Sequence, residues 1–98
     1  MSNTNDYSTK IIRKSIRVYG SVQGVGFRYR TKYAAENYGV TGWVKNEIDG
    51  SVSMELQGTE EQIDQVFLSI SHGSYISIER MDSRSIPLND GEYGFNYD

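Results

Sequence analysis

One glycine-rich segment of the chain combines residue types that bind small anions. It runs Gly20-Ser-Val-Gln-Gly-Val-Gly-Phe-Arg28 and stands between a strand-like run and a helical pattern. Gly24 and Gly26 lack a Cβ atom, so the backbone N–H groups of this segment can crowd around a bound anion. The following helix adds the unpaired N–H groups of its first turn, and Arg28 adds a charged fork of donors suited to phosphate oxygens. The spacing therefore predicts a site for a phosphate-sized anion.

The better-known phosphate loops have a different spacing. A dinucleotide-binding fingerprint requires a third glycine where this chain has Tyr29, and a Walker loop counted from Gly20 requires lysine where it has Gly26. The alternative interpretation is an ordinary tight turn that happens to hold an arginine. The glycine pattern alone leaves both open, because short glycine motifs often match by chance.

Asn46 is the second residue whose position suggests chemistry. It ends the run Gly42-Trp-Val-Lys-Asn46 and has the parity of Val44 and Ile48, so an amide stands on a strand face that is otherwise apolar. A buried amide needs hydrogen-bond partners or it costs free energy. Either Asn46 lies at the sheet edge and bonds to the nearby turn, or its carboxamide points toward the glycine-rich loop and holds a water molecule.

Alternating strand and helix patterns must position these two segments. The apolar periodicities predict strands over 12–22, 41–48, 51–57, 76–84 and 93–97, and helices over 27–38 and between Thr59 and Gly73. Asp49-Gly50 predicts a two-residue hairpin turn, and Thr59 with Gln62 predicts a capping box. The order β-α-β-β-α-β predicts an α+β, ferredoxin-like sandwich. We expect an antiparallel sheet with two helices on one face and a short extra C-terminal strand.

Composition and charge narrow the classes of function. The 98 residues include no cysteine, which excludes a disulfide framework, a thiol nucleophile and a cysteine metal site. The net charge of −3 argues against general nucleic-acid binding, and no apolar run is long enough to span a bilayer. Basic residues concentrate in 10–45, so this half could still attract a small anion. The single histidine, His72, follows the second helix and has no metal-ligand pattern around it, so we expect a solvated residue.

The two segments together resemble the acylphosphatase family. Val18 to Arg28 is similar to the first signature of that family, and Gly42 to Asn46 is similar to the second. The second signature is continued by Gly50, Val52 and Gly58. The similarity runs from about residue 12 to residue 97. It implies a ferredoxin-like fold and the hydrolysis of acyl phosphates to a carboxylate and inorganic phosphate.

The resemblance also implies roles for individual residues. Arg28 would bind the phosphate, and Asn46 would orient the attacking water. The substrate would be held by the whole loop, which comprises Ser21, Val22, Gln23, Gly24, Val25, Gly26, Phe27 and Arg28. Ser21 occupies a position that is often basic in the family, so the loop carries less positive charge here. Two alternatives remain: a non-catalytic anion-binding module, and an interaction domain like one that serves a carbamoyl-phosphate-using enzyme in longer relatives.

The expected chemistry requires neither a cofactor nor a metal. The leaving group is a carboxylate whose acid has a pKa of roughly 4, so it departs without a strong general acid. Phosphoryl transfer then depends mainly on alignment and charge stabilisation. We expect small acyl phosphates and inorganic phosphate as partners, no nucleic acid or membrane, and a cytoplasmic monomer. A flexible tail, 1–10, would precede the acylphosphatase-like domain, 11–98.

Overall fold

The computed structural model describes residues 9–73 and 75–97, and its elements follow the predicted order. They are β1 (Ile11–Ser21), α1 (Phe27–Tyr38), β2 (Thr41–Asn46), β3 (Val52–Thr59), α2 (Glu60–Ser71), β4 (Ser77–Ile86) and β5 (Phe95–Tyr97). The predicted strand bounds differ from these by one or two residues at most ends. The predicted tail falls mainly on residues 1–8, which lie outside the described residues.

The strands form one five-stranded sheet in the order β4-β1-β3-β2-β5. The first four strands pair antiparallel, and both helices pack on one face of the sheet. This is the predicted ferredoxin-like arrangement. β5 pairs parallel with β2, so the sheet is mixed where an antiparallel one was predicted. The reason is geometric. The C-terminus of β4 and the N-terminus of β2 lie at the same end of the strands, so β5, which follows β4, starts at that end and runs in the direction of β2.

The core lies between the helices and the inner face of the sheet. Its strand side consists of alternate residues, as expected for a half-buried sheet. The fully or almost fully buried members are Ile16, Val18, Val44, Val52, Met54, Leu56 and Phe95 from the strands and Phe27, Ala34, Ala35, Ile63, Val66 and Ile70 from the helices. This packing fixes the ends of β1, α1 and β2, and those ends carry both segments singled out in the sequence.

The connection between β2 and β3 is longer than the predicted two-residue turn. The Glu47 N–H donates to the Ser51 carbonyl at 2.8 Å, and the Gly50 N–H donates to the Glu47 carbonyl at 3.2 Å. Gly50 has a φ of 93°, as in a three-residue loop that ends on a left-handed residue. Ile48 was predicted to continue the strand, but it is fully exposed at the tip of this loop. Asn46 is therefore the last residue of β2.

The helix ends agree with their sequence signals. The Thr59 hydroxyl accepts the Gln62 N–H at 3.1 Å, and the Thr59 N–H donates to Gln62 Oε1 at 2.8 Å, which confirms the capping box. Gly39 closes α1 in the left-handed conformation. His72 caps the C-terminus of α2 and is exposed, as predicted.

Candidate active site

The glycine-rich loop joins the end of β1 to the start of α1. Gly24 and Gly26 have φ values of 75° and 81°, in the left-handed region that favours glycine. A Cβ atom added to either would meet no heavy atom of the described residues within 4 Å. The loop therefore requires glycine for its backbone conformation and not for space within the protein. Because the glycines leave the outer side of the loop open, a ligand can approach the backbone there.

The N-terminus of α1 faces the same side of the loop. Gly26 is the N-cap, and no side chain of the described residues caps this end. The first intrahelical bond runs from the Arg30 N–H to the Gly26 carbonyl at 2.9 Å, so the earlier N–H groups have no acceptor within the helix. The first turn contains no acidic residue. The positive end of the helix dipole is thus not offset by a carboxylate from its own first turn.

A small cavity of about 130 Å³ lies over this helix end. It is lined by Val22, Gly24, Gly26, Phe27, Arg28, Tyr29, Asn46 and Tyr97. The structure therefore brings together Arg28, from the first turn of α1, and Asn46, from the end of β2. Larger cavities lie on the open face of the sheet and beside α2, but neither is bounded by a glycine loop or by a helix N-terminus.

Arg28 is half-buried and lies against the ring of Tyr97. Its guanidinium carbon is 5.0 Å from the ring centroid, within the range of a cation–π contact. Tyr97 pairs with Val44 across the β2–β5 ladder, so β5 forms one wall of the cavity. The sequence-based site did not include Tyr29 or Tyr97. Tyr29 directly follows the signature arginine and could have been found that way, but the parallel pairing that places Tyr97 has no local signal.

Asn46 lies on the inner face of β2, the face predicted from its parity with Val44. Its Oδ1 atom is buried and accepts no hydrogen bond from the described residues. Buried polar atoms in proteins almost always have a partner, and an exception calls for an explanation. The alternative that Asn46 bonds to the nearby turn is not supported by any hydrogen bond to this oxygen from the described residues. Asn46 also lines the cavity, so its side chain lies beside a molecule bound there.

Comparisons with known proteins identify the family. A model of the family "Acylphosphatase" matches residues 14–97. The chain belongs to the acylphosphatase family. The acylphosphatase of Clostridium acetobutylicum is 39% identical over 84 residues, which cover 85% of this chain and 92% of that protein. The acylphosphatase of Oceanobacillus iheyensis is 47% identical over 58 residues, which cover 59% and 64%.

Solved structures agree with the family. The crystal structure of acylphosphatase from Bacillus subtilis has a TM-score of 0.80 and 28% identity, covering 91% of this chain and 99% of that one. Full-length HypF, in a phosphate- and nucleotide-bound form, has a TM-score of 0.79 and 27% identity. That match covers 89% of this chain but only 12% of HypF. The acylphosphatase fold thus occurs both alone and within a much longer protein, and this chain is an enzyme of the acylphosphatase class.

Three residues of the predicted substrate loop do not line the cavity of this acylphosphatase. Ser21 is exposed at the end of β1, and Val25 is half-buried against the core. The side chain of Gln23 points to the β2–β3 loop and bonds to two of its carbonyls. Within the loop the structure brings only Val22, Gly24, Gly26, Phe27 and Arg28 to the cavity.

Three cations of the expected basic half form ion pairs with carboxylates in this acylphosphatase. Arg13 is 3% exposed and binds both Glu55 and Glu92. Its hydrogen bonds hold the pKa of the Glu92 carboxyl below the usual range. Two further cations of this half also have carboxylate partners, in the pairs Arg17–Asp49 and Lys32–Glu36. At the cavity itself, positive charge is supplied by Arg28 and by the N-terminus of α1.

The described part of this acylphosphatase has neither a metal-binding cluster nor a membrane-spanning helix. Over 9–73 and 75–97, no group of three histidine, cysteine or acidic residues could hold a metal ion. None of the helices in this part of the chain is long and apolar enough to cross a bilayer.

Proposed function

We propose that this acylphosphatase hydrolyses small acyl phosphates, with the phosphate held by the glycine-rich loop and Arg28 and the water oriented by Asn46. The observation that carries the proposal is Asn46 Oδ1, a buried acceptor with no partner among the described residues, in the same cavity as Arg28. A phosphate dianion offers only acceptors, so an additional acceptor does nothing to hold it. A water molecule supplies the missing donor. This favours a hydrolase over the non-catalytic anion-binding module.

Phosphate binding uses main-chain donors and one charge. The N–H groups of the loop and of the first turn of α1 would surround the non-bridging oxygens, and the Arg28 guanidinium would stabilise their charge. Phe27 is almost fully buried, so it would contribute through its N–H group alone. The Val22 N–H already donates to the Gly20 carbonyl at 3.0 Å, so Val22 would only shape the wall of the cavity. The predicted substrate contacts of Ser21, Gln23 and Val25 stay predictions, confined to main-chain atoms.

The water would attack phosphorus on the side opposite the carboxylate. One of its O–H groups donates a hydrogen bond to Asn46 Oδ1 and keeps its proton, while an oxygen lone pair forms the new P–O bond. The bond to the acyl oxygen breaks, and its electron pair leaves with the carboxylate, which needs no strong acid because carboxylic acids have a pKa of roughly 4. Among the described cavity residues there is no carboxylate or imidazole. We therefore assign the remaining proton of the attacking water to a phosphate oxygen of the substrate.

Arg28 and the N–H groups can stabilise the charge that develops in the transition state without a metal ion. Independence from metal, a cytoplasmic location, a monomeric state and the absence of nucleic-acid partners stay predictions.

The proposed function is tested by hydrolysis of benzoyl phosphate in the presence of a chelator and isotopically labelled water. We expect turnover, with the label in inorganic phosphate. A phosphate ester of an aliphatic alcohol serves as the control and should react far more slowly, because its leaving group is a poor one. Label in benzoate would show attack at the carbonyl carbon and contradict the mechanism. Phosphate binding without turnover would support the anion-binding module instead.

A further inference from the structure

The side chain of Gln23 connects the phosphate-binding loop to the loop that follows Asn46. Its amide nitrogen donates to the Glu47 carbonyl at 2.7 Å and to the Ser51 carbonyl at 2.8 Å. An amide nitrogen has two N–H donors, so both are used. Glu47 and Ser51 also bond to each other and close the β2–β3 loop. One side chain thus joins the two halves of the site.

We propose that Gln23 is a positioning residue that fixes Asn46 relative to the bound phosphate. This inference rests on the proposed function, which assigns the water to Asn46. β3 holds Asn46 on one side through its pairing with Val52. On the other side, the described β2–β5 ladder ends at the pair Val44–Tyr97, two residues before Asn46. Gln23 therefore provides the direct link between the phosphate-binding loop and the residue after Asn46.

The β2–β3 loop is braced internally, so Gln23 attaches a rigid unit. Ser51 is 2% exposed, and its N–H and hydroxyl donate to Asp49 Oδ1 at 2.9 Å and 2.6 Å. Arg17 donates to the Ser51 hydroxyl and pairs with Asp49. These contacts do not involve Gln23. Loss of the Gln23 donors should therefore shift the loop together with Asn46 and leave its own structure intact.

The first test is Gln23→Met, which keeps the length of the side chain and removes both donors. We expect kcat for benzoyl phosphate to fall about 10- to 100-fold, the order of loss that a displacement near 1 Å produces. Inhibition by inorganic phosphate should change less than about twofold, because the phosphate donors stay in place. Gln65→Met, a half-buried glutamine on α2 away from the cavity, is the matched control and should leave kcat unchanged.

A double-substitution cycle separates positioning from a general structural effect. If Gln23 acts through Asn46, Gln23→Met should cause no further loss of kcat in an Asn46→Ala background. An equal loss in both backgrounds, or full activity of Gln23→Met alone, would overturn the inference. The proposed function is judged separately, by turnover of the unaltered chain and by the loss caused by Asn46→Ala.

Gln23→Glu gives an independent readout if Gln23→Met does not fold. The carboxylate would face two carbonyl oxygens without a donor, whereas the protonated acid can donate one hydrogen bond. Because this environment disfavours the charged form, the pKa of the introduced carboxyl should lie above the usual value of about 4.3. We expect the activity relative to the unaltered chain to rise as the pH falls through that pKa. A ratio that does not depend on pH would contradict the role of the donors.

Discussion

Arg13 and Asn46 Oδ1 are buried polar groups on opposite faces of the sheet, and they differ in their hydrogen-bond partners. Arg13, on the open face, makes five hydrogen bonds with its five N–H donors: two to Glu55, two to Glu92 and one to Gln57. Asn46 Oδ1, on the inner face, accepts none from the described residues. Both groups are removed from bulk water. The Arg13 cluster, which comprises Arg13, Glu55, Gln57 and Glu92, is thus completed by the protein itself, whereas we propose that a bound molecule completes the Asn46 site.

The Arg13 cluster still supports the site from a distance. Glu92 belongs to the segment that leads into β5, and its carboxylate ties that segment to β1. β5 in turn places Tyr97 against Arg28. Because this link reaches the cavity only through β5, we expect substitutions in the Arg13 cluster to affect mainly stability and substitutions in the cavity to affect mainly rate.

The largest effect should come from Arg28→Ala. Removing the only guanidinium in the described lining of the cavity should lower kcat/KM by at least about 10³-fold, as for other arginines that stabilise phosphoryl transfer. KM should rise and inhibition by phosphate should weaken. Steady-state kinetics with benzoyl phosphate measure this. Arg84→Ala, at an exposed arginine of β4, is the matched control, and an equal loss there would indicate a diffuse electrostatic effect.

Arg13→Met should have its main effect on stability. It leaves two carboxylates without their partner, and breaking a buried ion pair in this way costs about 3 kcal/mol or more. Urea unfolding should show the loss, while kcat should change far less than in Arg28→Ala. If the free energy of unfolding is unchanged while kcat falls as far as in Arg28→Ala, the Arg13 cluster does not act mainly on stability and the contrast between the two regions is wrong. Adding Glu92→Gln should restore part of the stability.

A smaller effect is expected on the pH dependence of stability. Arg13 lowers the pKa of Glu92 below its ordinary value of 4.5. The resulting stabilisation is complete above that ordinary value and is lost as the pH falls through the lower pKa of the folded state. Glu92→Gln should therefore be less stable at pH 7 and lose less stability in acid. Urea unfolding from pH 7 to pH 3 measures this, with exposed Glu61→Gln as the control that should follow the unaltered chain.

Local signals in the sequence were sufficient for most elements and for singling out the two segments that meet at the cavity. The capping box at Thr59 and the parity of Asn46 depend on neighbouring residues, so they could be predicted. The partners of Arg13 and the position of Tyr97 depend on contacts between distant strands, for which no periodicity exists. Ile48 was misassigned because Asp49-Gly50 suits both a two-residue turn and the three-residue loop that forms. The link made by Gln23 also joins segments that only the folded sheet brings together.

The central claim is that Asn46 Oδ1 is completed by the attacking water. It is tested most directly by measuring kcat, phosphate inhibition and the free energy of unfolding of Asn46→Ala together. We predict that kcat falls about 10²- to 10³-fold, that phosphate inhibition is unchanged, and that stability does not decrease, because no internal hydrogen bond to this oxygen is lost. A normal kcat, or a loss of stability comparable to that of Arg13→Met, would contradict the account.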